Sequence, residues 1–361
     1  MEVGISLNGC YYSVDALPEF VATATNEAEK SYYQEAVAFL QRWWSSAAHL
    51  SVHTSGSTGK PKPLAVSKEH MRNSALLTCT YLGLQAGDSC LVCMPLKYIA
   101  AQMMLVRAVL AKLAVWLVPP CGRPLAQLDS AVDFAAMVPL QVYNSLQQPV
   151  DKQRLQAVKH LLIGGGAIDE AMAQELAQFP HQVYSSYGMT ETVSHIALRH
   201  LSGAARSDWY RAFPTVQLSQ TEQGALVIDA PQVASQRLYT HDVVRFNSQG
   251  EFQVLGRLDN IVNSGGVKLQ VELLEQAIRP LLSQPFVLSS RPDAKLGEAL
   301  VLLIESAPFC LVHLNSQLQE VLSMYERPKE IYFVEQLPRT ATQKIRRKAC
   351  KDLAAQLFVK K

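Results

Sequence analysis

The chain has 361 residues, of which 48% are hydrophobic and 18% charged. That composition is globular, it suits two or three domains, and it excludes long disordered tracts. Lys and Arg total 33 and Asp and Glu 31, a formal net charge of +2, so no global field draws the chain to nucleic acid or an anionic membrane.

The first residues, Met1 to Gly4, are not a basic segment leading into an apolar run, and no secretory signal is expected. The longest apolar stretch, 103–118, is broken by Arg107 and Lys112. No uncharged span reaches the ~20 residues of a membrane helix. Seven cysteines (Cys10, Cys79, Cys90, Cys93, Cys121, Cys310 and Cys350) form an odd set in mostly apolar surroundings. They predict reduced thiols and a cytoplasmic enzyme. Cys90 and Cys93 form a C-x-x-C, but no second pair or nearby histidine completes a zinc site. The segment predicts a buried strand instead.

In chain order, the spacing of Tyr33, Val37, Leu40 and Trp44 predicts a helix over 26–49. Leu50 to His53 is a strand that runs into a Ser/Thr/Gly loop, and Ser67 caps the next helix. Strands are expected at 90–93, 115–118, 160–163 and 182–184, with helices at 101–113 and 169–179 between them. This alternation predicts an α/β core with a mainly parallel sheet. After about residue 222 short strands follow at 225–228, 242–246 and 251–255, the last two joined by an Asn247–Gly250 turn. An amphipathic helix is expected over 271–282, and a basic tail ends the chain. Gly256 and Arg257 mark the expected domain boundary.

The most informative stretch is the run Thr54, Ser55, Gly56, Ser57, Thr58, Gly59, Lys60, Pro61, Lys62. Small residues let backbone approach a polyphosphate, and amides and hydroxyls donate to its oxygens. It is not a Walker loop. Thr54 stands where the first glycine would be, and Pro61 replaces the hydroxyl residue that would open a helix.

The order of residues in this loop resembles the phosphate loop of the acyl-adenylate-forming enzymes: acyl-CoA synthetases, adenylation domains and luciferases. Four further motifs follow in that family's order. Tyr187–Thr192 resembles the adenylate-site motif and Tyr239–Asp242 the ribose motif. Gly256–Asn260 with Ser264, Gly265 and Gly266 resembles the hinge and the loop after it. Pro338–Lys344 resembles the catalytic-lysine loop.

The resemblance implies an α/β fold. A large N-terminal domain of βα-layered sheets with a small β-rich portion would cover 1–257. A small mobile α+β domain carrying the lysine would cover 258–361. It implies ATP, Mg²⁺ and coenzyme A as cofactors, and a small carboxylic acid as substrate. Thr54, Ser55, Gly56, Ser57, Thr58, Gly59 and Lys60 would hold the β- and γ-phosphates. Thr190 would bond the α-phosphate and Glu191 would hold Mg²⁺, a hard ion suited to oxygen ligands. Gly164, Gly165 and Gly166, with Ser186, Tyr187 and Gly188, would flank the adenine. Asp242 would accept both ribose hydroxyls, as one ionised carboxylate can, with Arg257 reaching the ribose or phosphate. Asp259 is the implied hinge, Gly265 and Gly266 line the implied CoA tunnel, and Lys344 is the implied adenylation lysine. His241, Val271 and Gln343 depart from the family pattern, standing where glycine, proline and glycine are usual.

For the acid, the segment Pro95–Arg107 resembles that of o-succinylbenzoate–CoA ligases, whose dicarboxylic substrate needs a cation for its second carboxylate. Lys97, Tyr98, Arg107, Ser194 and His195 are the implied acid-binding residues. A charge on the apolar helix bearing Arg107 needs a partner or a route to water. Snorkelling, or pairing with a protein carboxylate, is as compatible with its position as ligation. His195 suits a core histidine equally well. A CoA ligase for another acid, a carrier-protein-loading enzyme and an inactive nucleotide-binding homologue stay open. Only 53 residues precede Thr54, where the family carries a longer subdomain. A truncated N-terminal subdomain is therefore expected, leaving either an open pocket or one covered by a second subunit.

Overall fold

A computed structural model describes residues 3–53, 63–340 and 344–359. Its largest sheet has nine strands. From one edge to the other they are Arg211–Ala212, His195–His200, Gln182–Gly188, His160–Ile163, Phe134–Met137, Ser89–Val92, Ala114–Leu117, Gly4–Leu7 and Cys10–Ser13. The run from Gln182–Gly188 to Gly4–Leu7 is parallel, and the strands beyond it at both edges are antiparallel.

Chain order reverses around Ser89–Val92. The next strand, Ala114–Leu117, lies on one side of it and the one after, Phe134–Met137, on the other. Such a switch opens a crevice beyond the carboxyl ends of the strands. The segments starting at Met94, Val138, Gly164 and Met189 all leave from that edge.

The helices that cover the sheet start where side chains satisfy free amides. Asn26 accepts from Glu29 N at 3.0 Å and opens Glu27–Trp44. Ser67 accepts from Glu69 N and opens Lys68–Leu82, which Gly83 closes in a left-handed conformation. Ile99–Ala111 is buried along most of its length between that helix and the sheet. The observed helix 271–278 ends earlier than its apolar spacing predicts. Pro280 cannot donate to an α-helical carbonyl, and 279–281 tightens into a 3-10 turn. Cys90 and Cys93 are fully buried, and desolvation pushes the Cys93 thiol up to about 12. They are core residues of a strand end, as expected.

A four-stranded antiparallel sheet (Gln217–Gln220, Ala225–Asp229, Leu238–Phe246, Phe252–Arg257) follows the large one. A five-stranded sheet begins at Ile261–Ser264 and is built around Gly297–Glu305, which pairs with Phe286–Asp293 and Glu330–Val334. The helix Arg347–Val359 packs on Phe286–Asp293. Arg347 anchors it by gripping both oxygens of Glu275, at 3.0 and 2.6 Å. Both side chains are mostly buried. Arg347→Ala is therefore expected to cost about 2–3 kcal/mol, because Glu275 keeps its charge and loses its cation. Urea unfolding followed at the C-terminal part checks this, and a loss under about 0.5 kcal/mol would show the pair to be incidental.

Candidate active site

The strand Gln182–Gly188 brings Ser186, Tyr187 and Gly188 to the carboxyl edge, beside Gly164 at the end of His160–Ile163. Ser186 donates to the Ile163 carbonyl at 3.2 Å. A Cβ at Gly164 would collide with the Ser186 hydroxyl, so a side chain there would displace it. Gly165 and Gly166 are exposed, as a surface that receives a flat ring requires.

Thr190 and Glu191 follow on a single 3-10 turn, Thr190–Thr192. The Glu191 carboxylate is exposed and has no hydrogen bond or ion pair among the described residues. A free hard-oxygen group beside Thr190 fits a Mg²⁺ ion that keeps most of its waters. Residues Thr54 to Lys60 lie outside the described residues. The strands that lead into and out of that loop, His49–His53 and Pro63–Ser67, form a hairpin.

The four-stranded sheet supplies a second group of site residues. Asp242 accepts the Tyr187 hydroxyl on Oδ2 at 2.6 Å and Arg257 Nη1 on Oδ1 at 2.8 Å. Arg257 also donates through Nη2 to Asp259 Oδ2 at 3.0 Å, and Asp259 Oδ1 lies 2.5 Å from His241 Nδ1. Five side chains thus form one line: Tyr187, Asp242, Arg257, Asp259, His241. Burial works against the Arg257 charge, yet its bonds to Asp259 and Asp242 hold its pKa above the ordinary arginine value. Burial likewise opposes the Asp259 charge, and Arg257 and His241 outweigh it, keeping that carboxyl below its usual range. Asp242 retains free lone pairs for incoming hydroxyls.

We expect Asp242→Asn to weaken ATP binding about tenfold, since hydrogen bonds to a charged group contribute roughly 1.5–3 kcal/mol. Calorimetric titration with a non-hydrolysable ATP analogue checks it, and unchanged affinity would remove Asp242 from the nucleotide site.

The junction after Arg257 is tight. Gly256 has φ +155°, and a Cβ there would run into Gln270 and Glu272. Asn260 donates to Glu272, and Gln270 donates to the Arg257 carbonyl. Gly265 and Gly266 follow in a left-handed turn, exposed to solvent. Lys344 sits at the close of a loop bracketed by the Arg339–Ile345 bridge. Its backbone is tied to Thr340 at 2.7 and 3.1 Å. Burial lowers its pKa. No hydrogen bond or ion pair among the described residues joins Lys344 to Thr190, Glu191 or Asp242.

A third group is buried in the core beside the nine-stranded sheet. Arg107 is 2% exposed and has no carboxylate partner among the described residues. Nη2 donates to Ser194 Oγ at 2.8 Å, Nη1 reaches only the Met104 sulfur at 3.9 Å, and Nε has no partner. Desolvation pushes its pKa down to about 10, so it is a cation at neutral pH. His195, also buried, lies 3.3 Å from Ser194 Oγ and 3.0 Å from Thr78 Oγ1. Ser74 Oγ and Gln102 Oε1 are buried on the same two helices as Thr78 and Arg107, and neither has a partner among the described residues. Lys97 and Tyr98 are apart from this cluster, at the start of the Arg107 helix, where the Lys97 amine lies over the Tyr98 ring.

Ser74, Thr78 and Gln102 escaped the sequence reading. Ser74 and Thr78 are four apart and fall among Met71, Ala75, Cys79 and Leu82, the buried face of their helix. Polar residues interrupting an apolar stripe were the available signal.

Glycines at the carboxyl edge of a parallel sheet, with an ion-paired carboxylate from the four-stranded sheet bonded to that edge through Tyr187, fit a nucleotide-binding α/β enzyme. The sequence matches the AMP-binding enzyme family over residues 9–235, well over half its length, and the chain belongs to that family. It is accordingly an AMP-forming ligase.

The chain is similar to the 2-succinylbenzoate–CoA ligase of Bacillus cytotoxicus, at 25% identity over 93% of this chain and 76% of that one. The Listeria monocytogenes serotype 4b enzyme of the same name is 26% identical over 94% and 77%. The chain therefore spans about three quarters of their length. An acyl-CoA synthetase (AMP-forming)/AMP-acid ligase II-like protein from Dyadobacter fermentans is 36% identical, with a TM-score of 0.62 over 92% of this chain and 96% of that one. The o-succinylbenzoate CoA synthetase of Bacillus subtilis, solved with its acyl-adenylate intermediate, has the same fold, with a TM-score of 0.70 over 84% and 68% at 22% identity. Among the described residues, no helix is long and apolar enough to cross a membrane.

Proposed function

We propose that the chain joins o-succinylbenzoate to coenzyme A through an acyl-adenylate, within a cytoplasmic route. One observation carries the choice of acid: a buried, cationic Arg107 with no carboxylate partner and two donor nitrogens unused by oxygen. An unpaired buried charge is costly unless a ligand completes it. A dicarboxylic acid brings one carboxylate for Arg107 and another for activation. The names of the relatives from Bacillus and Listeria support the same acid.

In the first half-reaction a carboxylate oxygen attacks the α-phosphorus, a P–O bond forms, and pyrophosphate leaves with the electron pair of the broken bond. Charge grows on phosphate oxygens, so pre-aimed donors and cations lower the barrier. Thr190 bonds the α-phosphate, and Lys344 bridges the incoming carboxylate and that phosphate. Glu191 would hold Mg²⁺, which would neutralise phosphate charge. The loop from Thr54 to Lys60 holds the leaving pyrophosphate. Gly164, Gly165, Gly166, Ser186, Tyr187 and Gly188 flank the adenine, and Asp242 with Arg257 takes the ribose. In the second half-reaction the CoA thiol attacks the acyl carbon and AMP leaves. Residues 258–361 rotate on Asp259 as a separate domain, removing Lys344 and bringing Gly265 and Gly266 to the thiol's path.

Acid-dependent exchange of pyrophosphate into ATP tests the chemistry, and CoA-dependent AMP release tests the acceptor. No exchange with o-succinylbenzoate, benzoate or medium-chain fatty acids would sink the enzymatic reading. Exchange without CoA-dependent release would favour a carrier-protein acceptor.

A further inference from the structure

The buried cluster around Arg107 is a chain of hydrogen bonds that ends on one backbone carbonyl. Thr78 donates its hydroxyl to the Ser74 carbonyl at 3.1 Å. With that donation made, Thr78 Oγ1 meets His195 Nε2, at 3.0 Å, as an acceptor. In this arrangement His195 carries its proton on Nε2 and leaves Nδ1 bare. Ser194 Oγ, at 3.3 Å from Nδ1, is the donor there. Its lone pairs are left to accept Arg107 Nη2 at 2.8 Å. The order of donation runs from Arg107 to Ser194 to His195 to Thr78 to Ser74.

The chain requires a neutral imidazole. A second ring proton would displace the Ser194 hydroxyl proton from Nδ1 and set two cations side by side. Burial and the Arg107 charge both push His195 well below its ordinary value, which keeps the ring neutral.

Ser194 is presented to Arg107 by an unusual backbone. Val193 has φ +66° and ψ −50°, and Ser194 N bonds the Thr192 carbonyl at 2.7 Å around it. This is a γ-turn with positive φ, a strained conformation for a β-branched residue, at a cost of about 1–3 kcal/mol. Thr192 Oγ1 holds the turn by donating to the Ser194 carbonyl at 2.7 Å and accepting Met189 N at 3.0 Å. Val193 itself is 1% exposed and packed in the core.

We propose that His195 and Thr78 are positioning residues for substrate selection. They act through Ser194, whose oriented lone pair holds Arg107 Nη2 and leaves donors on the rest of the guanidinium for the second carboxylate of a dicarboxylic acid. Both His195 nitrogens are consumed within the chain, so His195 does not donate to the acid. The proposal rests on the reading of Arg107 as the site of that second carboxylate.

Two measurements test it. In the wild-type protein with ¹⁵N-labelled histidine, His195 should show a protonated Nε2 and a bare Nδ1 at neutral pH. The opposite tautomer, or an imidazolium, would overturn the chain without any variant. In kinetics at saturating ATP and CoA, Thr78→Val should raise KM for o-succinylbenzoate about five- to tenfold, the size of one lost hydrogen bond. kcat with that acid should change by less than about twofold, and Thr78→Ser should restore KM. Equal losses of KM and kcat, or no recovery with serine, would assign Thr78 to the fold alone. Arg107→Ala measured in parallel separates the failures. If Arg107→Ala lowers the preference for o-succinylbenzoate over benzoate while Thr78→Val does not, the positioning chain is wrong. If Arg107→Ala leaves the preference intact, the dicarboxylate reading falls and the proposal with it.

Discussion

Replacing Lys344 with alanine is expected to lower acid-dependent pyrophosphate exchange by about a hundred- to a thousandfold, the usual range for removing one preorganised donor to transition-state charge. The same variant, given preformed acyl-adenylate and CoA, should release AMP at close to the wild-type rate. The asymmetry follows from where Lys344 sits. Its backbone is bonded only within its own loop, and its half-buried amine has no ion pair among the described residues. Burial without a partner lowers its pKa and favours a lysine that will accept an anionic partner when the loop moves. On the proposed two-position reading, such a residue contributes only while residues 258–361 are turned toward the α-phosphate. If both half-reactions fall together, Lys344 is a structural or general binding residue and the two-position reading fails.

The second large effect is expected at Arg107, and it has two opposite parts. Arg107→Met should raise KM for o-succinylbenzoate about a hundredfold and for benzoate less than about threefold. Losing a buried charge contact to a ligand costs about 2–5 kcal/mol, and each 1.4 kcal/mol is a factor of ten. The same substitution should stabilise the ligand-free protein by about 1–3 kcal/mol, because an apolar side chain of similar volume replaces a desolvated cation. The sign can be checked from the pKa. Burial pushes it below the ordinary arginine value to about 10, so folding disfavours the charged form. That penalty is fully present below pH 10 and eases as pH rises past it. Thermal unfolding with and without o-succinylbenzoate reads both parts. A variant that melts lower than wild type without ligand would mean that Arg107 serves the fold, and its role in selecting the acid would be lost.

Local chemistry made several parts of the molecule legible in the sequence. Ser67 announces a helix start because a short polar side chain can satisfy a free amide there. The alternation of apolar strands with amphipathic helices declares a parallel sheet. Other elements were missed for reasons equally physical. Phe134–Met137 is a central strand of four residues, two of them alanine, and both its faces are buried. It shows neither alternation nor β-branched side chains, so its pairing with both neighbours, rather than propensity, makes it a strand. Gly4–Leu7 and Cys10–Ser13 are too short to show a period, and a hairpin joins them at the sheet edge. Around Pro280 the apolar spacing persists although the helix has already changed form.

What the sequence determined by itself was an ordered set of residue types, namely hydroxyls and glycines before Lys60, Asp242 with Arg257, and Lys344, to which the proposed function gives the polyphosphate, the ribose and a growing charge. These are read locally, because each motif is a few consecutive residues with one chemical task. Who touches whom was decided only by tertiary structure. Asp242 meets Tyr187 across 55 positions, and Arg107 meets Ser194 across 87. The same holds for His241, a departure from the family pattern in the sequence and a partner of Asp259 in the fold. It holds most for Thr78, which has no motif at all. Its place opposite His195 comes from packing one helix against an edge-side strand, and its hydrogen-bond direction comes from a carbonyl one helical turn away. Burial decides the rest, since whether Arg107 is a solvated surface cation or an unpaired core charge depends on what covers its helix, and no local pattern encodes that.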